Sequence, residues 1–433
     1  MLKLLAGTLV GCCLIVGSMA GTVSAKEWTV ESVVQRLKTT PINLEEQRRD
    51  VVNDDEPPPP PKERLAWRIN SFVKRELMFV AAADAAIESP LEAMLDPSND
   101  FTRRCRAMFG LVRRGNRQGL AAAAKLLRSD DELDRITGWA ALFDAPNLRA
   151  IYPIVAQNEI ASLYRDEKVG KVLGAAESFF GKHRAKFAVA ELSRRATVEL
   201  DPDRSESIVL ALTLIGDPAA VATITTARAD DNWKVWALGR LADPAGAPFL
   251  AEHLESPEAV IYLARCKGPI AHAAIKSRAD GTQPIDIPER NKHDPEFLNE
   301  YREHLLIAQT LVESKSPRRE LFDIARNSDH PERLRLLALQ ELQILGPGQL
   351  VAEFLTFYRS QMQTDLGAHC IDVVNDVSTA EVTAAMIEHL KQLHSLRDAP
   401  EEKSKLSGKP LQIAEDVVFL RLHKRIGNRA FDY

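Results

Sequence analysis

Six arginines crowd one short stretch of the chain: Arg103, Arg104, Arg106, Arg113, Arg114 and Arg117. Guanidinium groups donate paired hydrogen bonds to carboxylate or phosphate, so a face built from them would engage an anionic ligand or envelope polymer. The same residues also suit a solvated helix face, with Arg113 and Arg114 offsetting the negative end of their helix. A second group is aromatic. Trp233 and Trp236 lie one helical turn apart. They either present an aromatic contact to a partner or fill the space between neighbouring helix pairs.

Enzyme signatures are missing. Gly174 and Gly181-Lys182 are superficially similar to a phosphate loop, but six residues separate the glycines where four are needed. His183 also stands where that loop requires Ser or Thr, so the stretch reads as a helix boundary. Glu300, Glu303 and His304 share a helical pattern without His-Glu-x-x-His spacing, which implies a solvated charged face and no metal. His389 and His394 are five apart, do not stack on one helical face, and read as surface residues. No Gly-x-Ser-x-Gly elbow or Cys-x-x-Cys-His haem attachment occurs. The expectation is a non-enzymatic protein that needs no cofactor.

The elements that position these residues are announced by punctuation. Asp-Pro or Ser-Pro pairs occur at Ser89-Pro90, Asp96-Pro97, Asp201-Pro202, Asp217-Pro218, Asp243-Pro244, Ser256-Pro257, Asp294-Pro295 and Ser316-Pro317. Asp or Ser accepts hydrogen bonds from the free N–H groups of a first helical turn, and Pro suits the first helical position. Each pair therefore predicts a helix start. Between them, apolar residues recur at helical spacing, as in Phe101, Cys105, Met108 and Val112, with Arg103, Arg106, Arg113 and Arg114 on the other side and Gly115 as the stop. Further helices are predicted at Leu120–Leu127, Glu132–Leu142, Leu148–Tyr164, Val172–Phe180, Phe187–Val198, Ile208–Ile215 and Trp233–Leu241. Aromatic residues are only 6% of the chain and strand patterns are nearly absent, so the expected class is all-α.

At 433 residues the chain would ordinarily split into two or three globular domains, but a repeat array grows by stacking. Residues 1–25 have the layout of a signal peptide: Lys3, an apolar run from Leu4, and small residues Val23-Ser24-Ala25 before Lys26. Leu9-Val10-Gly11-Cys12 is similar to a lipobox, which would place a lipid on Cys12, and the uncharged run would also serve as a thin membrane anchor. Export, periplasmic or secreted, is the expectation. Residues 26–63 read as an N-terminal helix, Trp28–Leu37, followed by a charged stretch and the spacer Pro57–Pro61. Residues 64–433 read as the solenoid body, with an interrupting loop at 280–294 and a closing helix at 411–426. Cys105, Cys266 and Cys370 are far apart and odd in number, which suits buried thiols more than a disulfide framework. A net charge of −5 supplies no basic field for nucleic acid.

Two segments carry a family resemblance. Leu214-Ile215-Gly216-Asp217-Pro218-Ala219-Ala220-Val221 and Ala237-Leu238-Gly239-Arg240-Leu241-Ala242-Asp243-Pro244 resemble the HEAT repeat family, in particular its phycobilisome-lyase-like branch. A weaker copy is Leu345-Gly346-Pro347-Gly348-Gln349-Leu350-Val351, where the Asp is missing. The match is clearest over 205–280. The resemblance implies an α-solenoid of stacked antiparallel helix pairs with a long surface for a protein or peptide partner. It implies an adaptor or scaffold in the cell envelope. The branch name also allows a lyase-like or chaperone protein acting on a bound prosthetic group. A third reading is an envelope-anchored binder of an anionic polymer through Arg103–Arg117.

Overall fold

The computed structural model describes residues 30–40, 69, 73, 85–283, 291–362, 364–397, 417, 418, 421 and 422. Among them there are helices and turns and no strand. The fold is all-α and solenoid-like. The described residues form two compact units, one ending at His253 and the other beginning at Leu254.

The first unit contains α1 (Val30–Thr39), α2 (Glu88–Met94), α3 (Phe101–Arg113), α4 (Arg117–Leu126), α5 (Glu132–Phe143), α6 (Leu148–Ile151) and α7 (Gln157–Asp166). It continues through α8 (Gly170–Lys182), α9 (Val189–Val198), α10 (Pro202–Ile215), α11 (Val221–Thr226), α12 (Asp231–Leu241) and α13 (Ala247–Glu252). Helices α3, α5, α8, α10 and α12 pack side by side in that order as one layer. Helices α7, α9 and α11 stack in turn as the second. Across the layers α9 packs on α10 and α11 on α12. The apolar stripes meet between the layers, where Trp139, Tyr164, Phe179 and Phe180 pack edge-on or tilted with ring centroids 5.2–5.8 Å apart.

The second unit repeats this plan. It holds α14 (Pro257–Cys266), α15 (Gly268–Ala279), α16 (Pro295–Glu313), α17 (Pro317–Arg326), α18 (Glu332–Leu345), α19 (Val351–Gln361), α20 (Asp365–Val374) and α21 (Ala380–Arg397). Helices α14, α16, α18 and α20 form one layer, and α19 packs on α21 in the other. Phe322, Phe354 and Tyr358 anchor its core. Of the predicted closing helix, Val418 and Leu422 lie buried in this core. Arg421 meets Asp372 of α20 at 2.7 Å.

The punctuation reads correctly at the centre and misleads at the start. Asp201, Ser256 and Asp294 cap α10, α14 and α16, each accepting a first-turn N–H with Pro at the next position. Asp217 and Asp243 do the same for short 3-10 turns, Pro218–Ala220 and Pro244–Gly246, which lead into α11 and α13. Ser316 precedes α17 without a side-chain cap. Ser89-Pro90 falls inside α2, which Ile87 opens without a side-chain bond. Asp96 receives the N–H of Ser98 within the α2–α3 turn, and Asp100 is the residue that caps α3. The predicted helix 148–164 divides into α6 and α7, since Pro153 has no N–H to continue the ladder. Gly115 follows the end of α3 as expected, with φ +70° and its N–H on the Val112 carbonyl. The N-terminal helix forms at 30–39 and packs on α3. The signal segment, the proline run and residues 284–290 of the interrupting loop lie outside the described residues.

Candidate functional site

The six arginines do not share a face. Arg106 is buried and donates to the Leu37 and Thr40 carbonyls at the end of α1, both at 2.7 Å. A cation on free terminal carbonyls satisfies the acceptors and opposes the negative end of the helix. Arg113 reaches Asp144 at 2.7 Å, and Arg114 reaches Glu88 at 3.0 Å. Asp144 also meets Lys182 at 3.4 Å, so this nearly buried carboxylate ties together α3, the end of α5 and α8. Arg103 pairs with Asp100 and bonds the Lys38 carbonyl, Arg104 is half-buried, and Arg117 is exposed at the start of α4. Arg106 sits in the core because α1 covers the side of α3 that the isolated pattern leaves to solvent. The stretch is mainly an assembly device.

The tryptophans behave differently. Helix α12 buries Val235, Ala237, Leu238 and Gly239, while Trp233, Trp236 and Arg240 run along its other side. Both indoles are half-buried, in an edge-to-face pair with centroids 5.5 Å apart and planes at 88°. The Arg240 guanidinium lies 5.6 Å from the Trp236 ring centre, within cation–π range. On the neighbouring helix α10, Glu206 lies beside the Asp230 backbone and the Trp233 side chain. Burial, then repulsion from Asp203 and Asp230, holds the Glu206 carboxyl above the usual carboxylate range. Beside the pair, His253 stacks on Phe249 at 4.1 Å, and its Nε2 lies 3.6 Å from Asp231.

Nothing in the residues flanking Glu206 marks it in the sequence. Its signal is the repeat itself: 233 − 206 is 27, close to the 26 residues between Asp217 and Asp243. The same offset pairs Arg204 with Glu177, which are 27 apart, and Arg165 with Glu191, which are 26 apart. A residue and its equivalent one repeat later stand beside each other in a layer. Arg204 holds Glu177 at 2.6 and 3.1 Å, with the Tyr164 hydroxyl donating to the same carboxylate at 2.9 Å. Burial opposes the Arg204 charge, and the Glu177 contact outweighs it, so its pKa lies above the ordinary value.

Two histidines depart from expectation. His304 is buried and bonds the Glu300 carbonyl, while Glu300 and Glu303 face Arg333. His389 is buried too, with Nδ1 hydrogen-bonded to the Tyr358 hydroxyl at 2.8 Å. In both cases an adjacent helix covers a position that its own sequence leaves ambiguous. His183 terminates α8 and bonds the Leu142 carbonyl, as a helix boundary should. Cys105, Cys266 and Cys370 are buried and form no disulfide among the described residues, and burial pushes the Cys105 thiol up to about 12, so it is not a reactive thiolate. Among the described residues no cluster of His, Cys, Asp or Glu is arranged to hold a metal ion, and no helix is long and apolar enough to cross a membrane. No protein-family model and no curated protein matches the chain.

Proposed function

We propose that the protein is an exported HEAT-type adaptor that binds a protein or peptide partner in the cell envelope, with Trp233 and Trp236 as its aromatic contact. The observation that supports this most is the half-exposed indole pair on a helix whose other face is fully buried. Aromatic residues left on a rigid surface supply large contact area at small entropic cost, which is why they recur among binding hot spots. Export rests on the leader at 1–25, and the repeat assignment rests on the two signatures quoted above.

Envelope cross-linking with the mature chain, followed by identification of what co-purifies, tests the reading. A stoichiometric partner is expected, and Trp233→Ala with Trp236→Ala should lower its recovery by about tenfold or more, the scale of a lost hot spot. Substitution of the exposed histidines should leave recovery unchanged. Absence of any associated protein would defeat the proposal. The mass of the mature N-terminus separates cleavage after Ala25 from lipidation at Cys12.

A further inference from the structure

The indole pair sits in a local excess of negative charge. Residues 199–206 carry Glu199, Asp201, Asp203 and Glu206 against Arg204 alone. Arg204 is already engaged by Glu177 on the neighbouring helix. The turn before α12 adds Asp230 and Asp231 against Arg228 and Lys234, and Lys234 is bonded to Asp231 at 3.0 Å. Glu206 brings this acidic rim beside the aromatic pair, next to the Trp233 side chain. Its raised carboxyl pKa, after burial, reflects the push of Asp203 and Asp230 and agrees with an uncompensated rim.

Carboxylates around an indole pair are the chemistry that selects a cation. The ring faces attract ammonium or guanidinium, and the carboxylates accept their hydrogen bonds. The protein makes one such contact itself, between Arg240 and Trp236. Phosphate and acidic peptides would meet repulsion instead. Magnitude then decides the size of the ligand. One exposed ion pair contributes about 1 kcal/mol or less, and one exposed cation–π contact is similar. A lone amine would therefore bind in the millimolar range at best, whereas a chain engaging carboxylates and both indoles together adds several contacts at a single cost of association.

We infer that Asp203 and Glu206 of α10, together with Trp233 and Trp236 of α12, form a docking surface for a lysine- or arginine-bearing segment of a protein partner. This rests on the adaptor reading above and names the chemistry of the partner at that surface.

The test is a titration of the full mature chain with three probes: a labelled short peptide of alternating lysine and serine, its glutamate counterpart, and free cadaverine. The lysine peptide should bind about tenfold more tightly, or better, than either of the others. Its affinity should fall severalfold as salt rises from about 50 mM to about 300 mM, because exposed charges are screened over that range. Asp203→Lys, at an exposed position, and Trp236→Leu should each weaken it by about fivefold or more, a loss of roughly 1 kcal/mol. Trp236→Phe, which keeps a ring, should restore most of the loss. The inference is overturned if the glutamate peptide binds equally well, if cadaverine matches the lysine peptide, or if Asp203→Lys changes nothing. If Trp236→Leu lowers the melting temperature, Asp203→Lys and Trp236→Phe carry the decision. A partner recovered by cross-linking through the tryptophans, with no affinity for the lysine peptide, would sink this inference and leave the adaptor reading standing.

Discussion

The two units bury polar groups between their helices in different ways. In the first, the buried groups that reach across helices, Arg106, Asp144 and Glu177, are charged, while buried Thr137 and Thr213 bond within their own helices. In the second, one charged pair, Arg265 with Glu341, accompanies neutral contacts: Tyr358 with His389, and Tyr301 on the Leu254 carbonyl. Both arrangements tie neighbouring helices together and fix their register. They differ in what breaks them. A charged tie fails when a partner is removed, and a neutral histidine tie fails when a proton is added.

The largest effect should come from stranding a buried carboxylate. Arg204→Met leaves Glu177 without its guanidinium and should cost about 3–5 kcal/mol, read as a lower denaturation midpoint and faster hydrogen exchange across α8 and α10. Arg265→Met should do the same to Glu341 in the second unit, with exchange rising in α14 and α18. Replacing both members, Glu177→Met with Arg204→Met, should recover most of the loss, because two matched apolar groups leave no buried charge. Equal damage from the single and double variants would show that packing, not charge pairing, holds these helices.

Acid should weigh more on the second unit, although burial also lowers the His183 pKa in the first. Burial lowers the His389 pKa from 6.5 to about 4. Between those values the unfolded chain binds a proton that the folded chain excludes. The stabilisation is therefore complete above about pH 6.5 and is lost progressively as pH falls toward 4. The full loss is about 3 kcal/mol, because each tenfold difference in proton affinity between the folded and unfolded chain is worth about 1.4 kcal/mol. Urea denaturation from about pH 7 to about pH 4, followed by exchange in α19 and α21, measures it. His389→Gln, which has nothing to protonate there, should flatten that slope. An unchanged slope would place the acid sensitivity elsewhere.

Which of these ties are legible in the sequence follows from how far each signal reaches along the chain. Caps are local, so Asp201, Ser256 and Asp294 are readable as helix starts from two or three adjacent residues. Inter-helix partners are not local. Arg106 reads as solvated because nothing in residues 101–113 announces α1, whose carbonyls lie 66 and 69 positions away. His389 likewise depends on Tyr358, at an offset of 31. The repeat length is the usable clue. The 26-residue spacing of Asp217 and Asp243, projected onto the neighbouring helices, leads to Glu177–Arg204 and Glu206–Trp233. Toward the N-terminal third the signature fades, yet Arg114 and Glu88 still stand 26 apart, so the offset reaches one arginine of the stretch and misses Arg106 and Arg113.

The smallest test compares the two copies of the signature within the first unit. Each helix ends in a left-handed residue, Gly216 with φ +72° after α10 and Ala242 with φ +53° after α12, followed in both by an Asp-Pro turn. Glycine adopts that conformation freely, whereas a Cβ there crowds the following carbonyl at a cost of about 1–2 kcal/mol. A Cβ added at Gly216 would meet no atom within 4 Å, so backbone conformation alone sets the effect. Gly216→Ala should therefore destabilise by about 1 kcal/mol, and Ala242→Gly should stabilise by up to about 1 kcal/mol, reduced by the added freedom of the unfolded chain. Opposite shifts in melting temperature, of similar size, would establish that the two turns are one structural element in two chemical versions. Shifts of the same sign would mean that Ala242 is held by packing that Gly216 does not have.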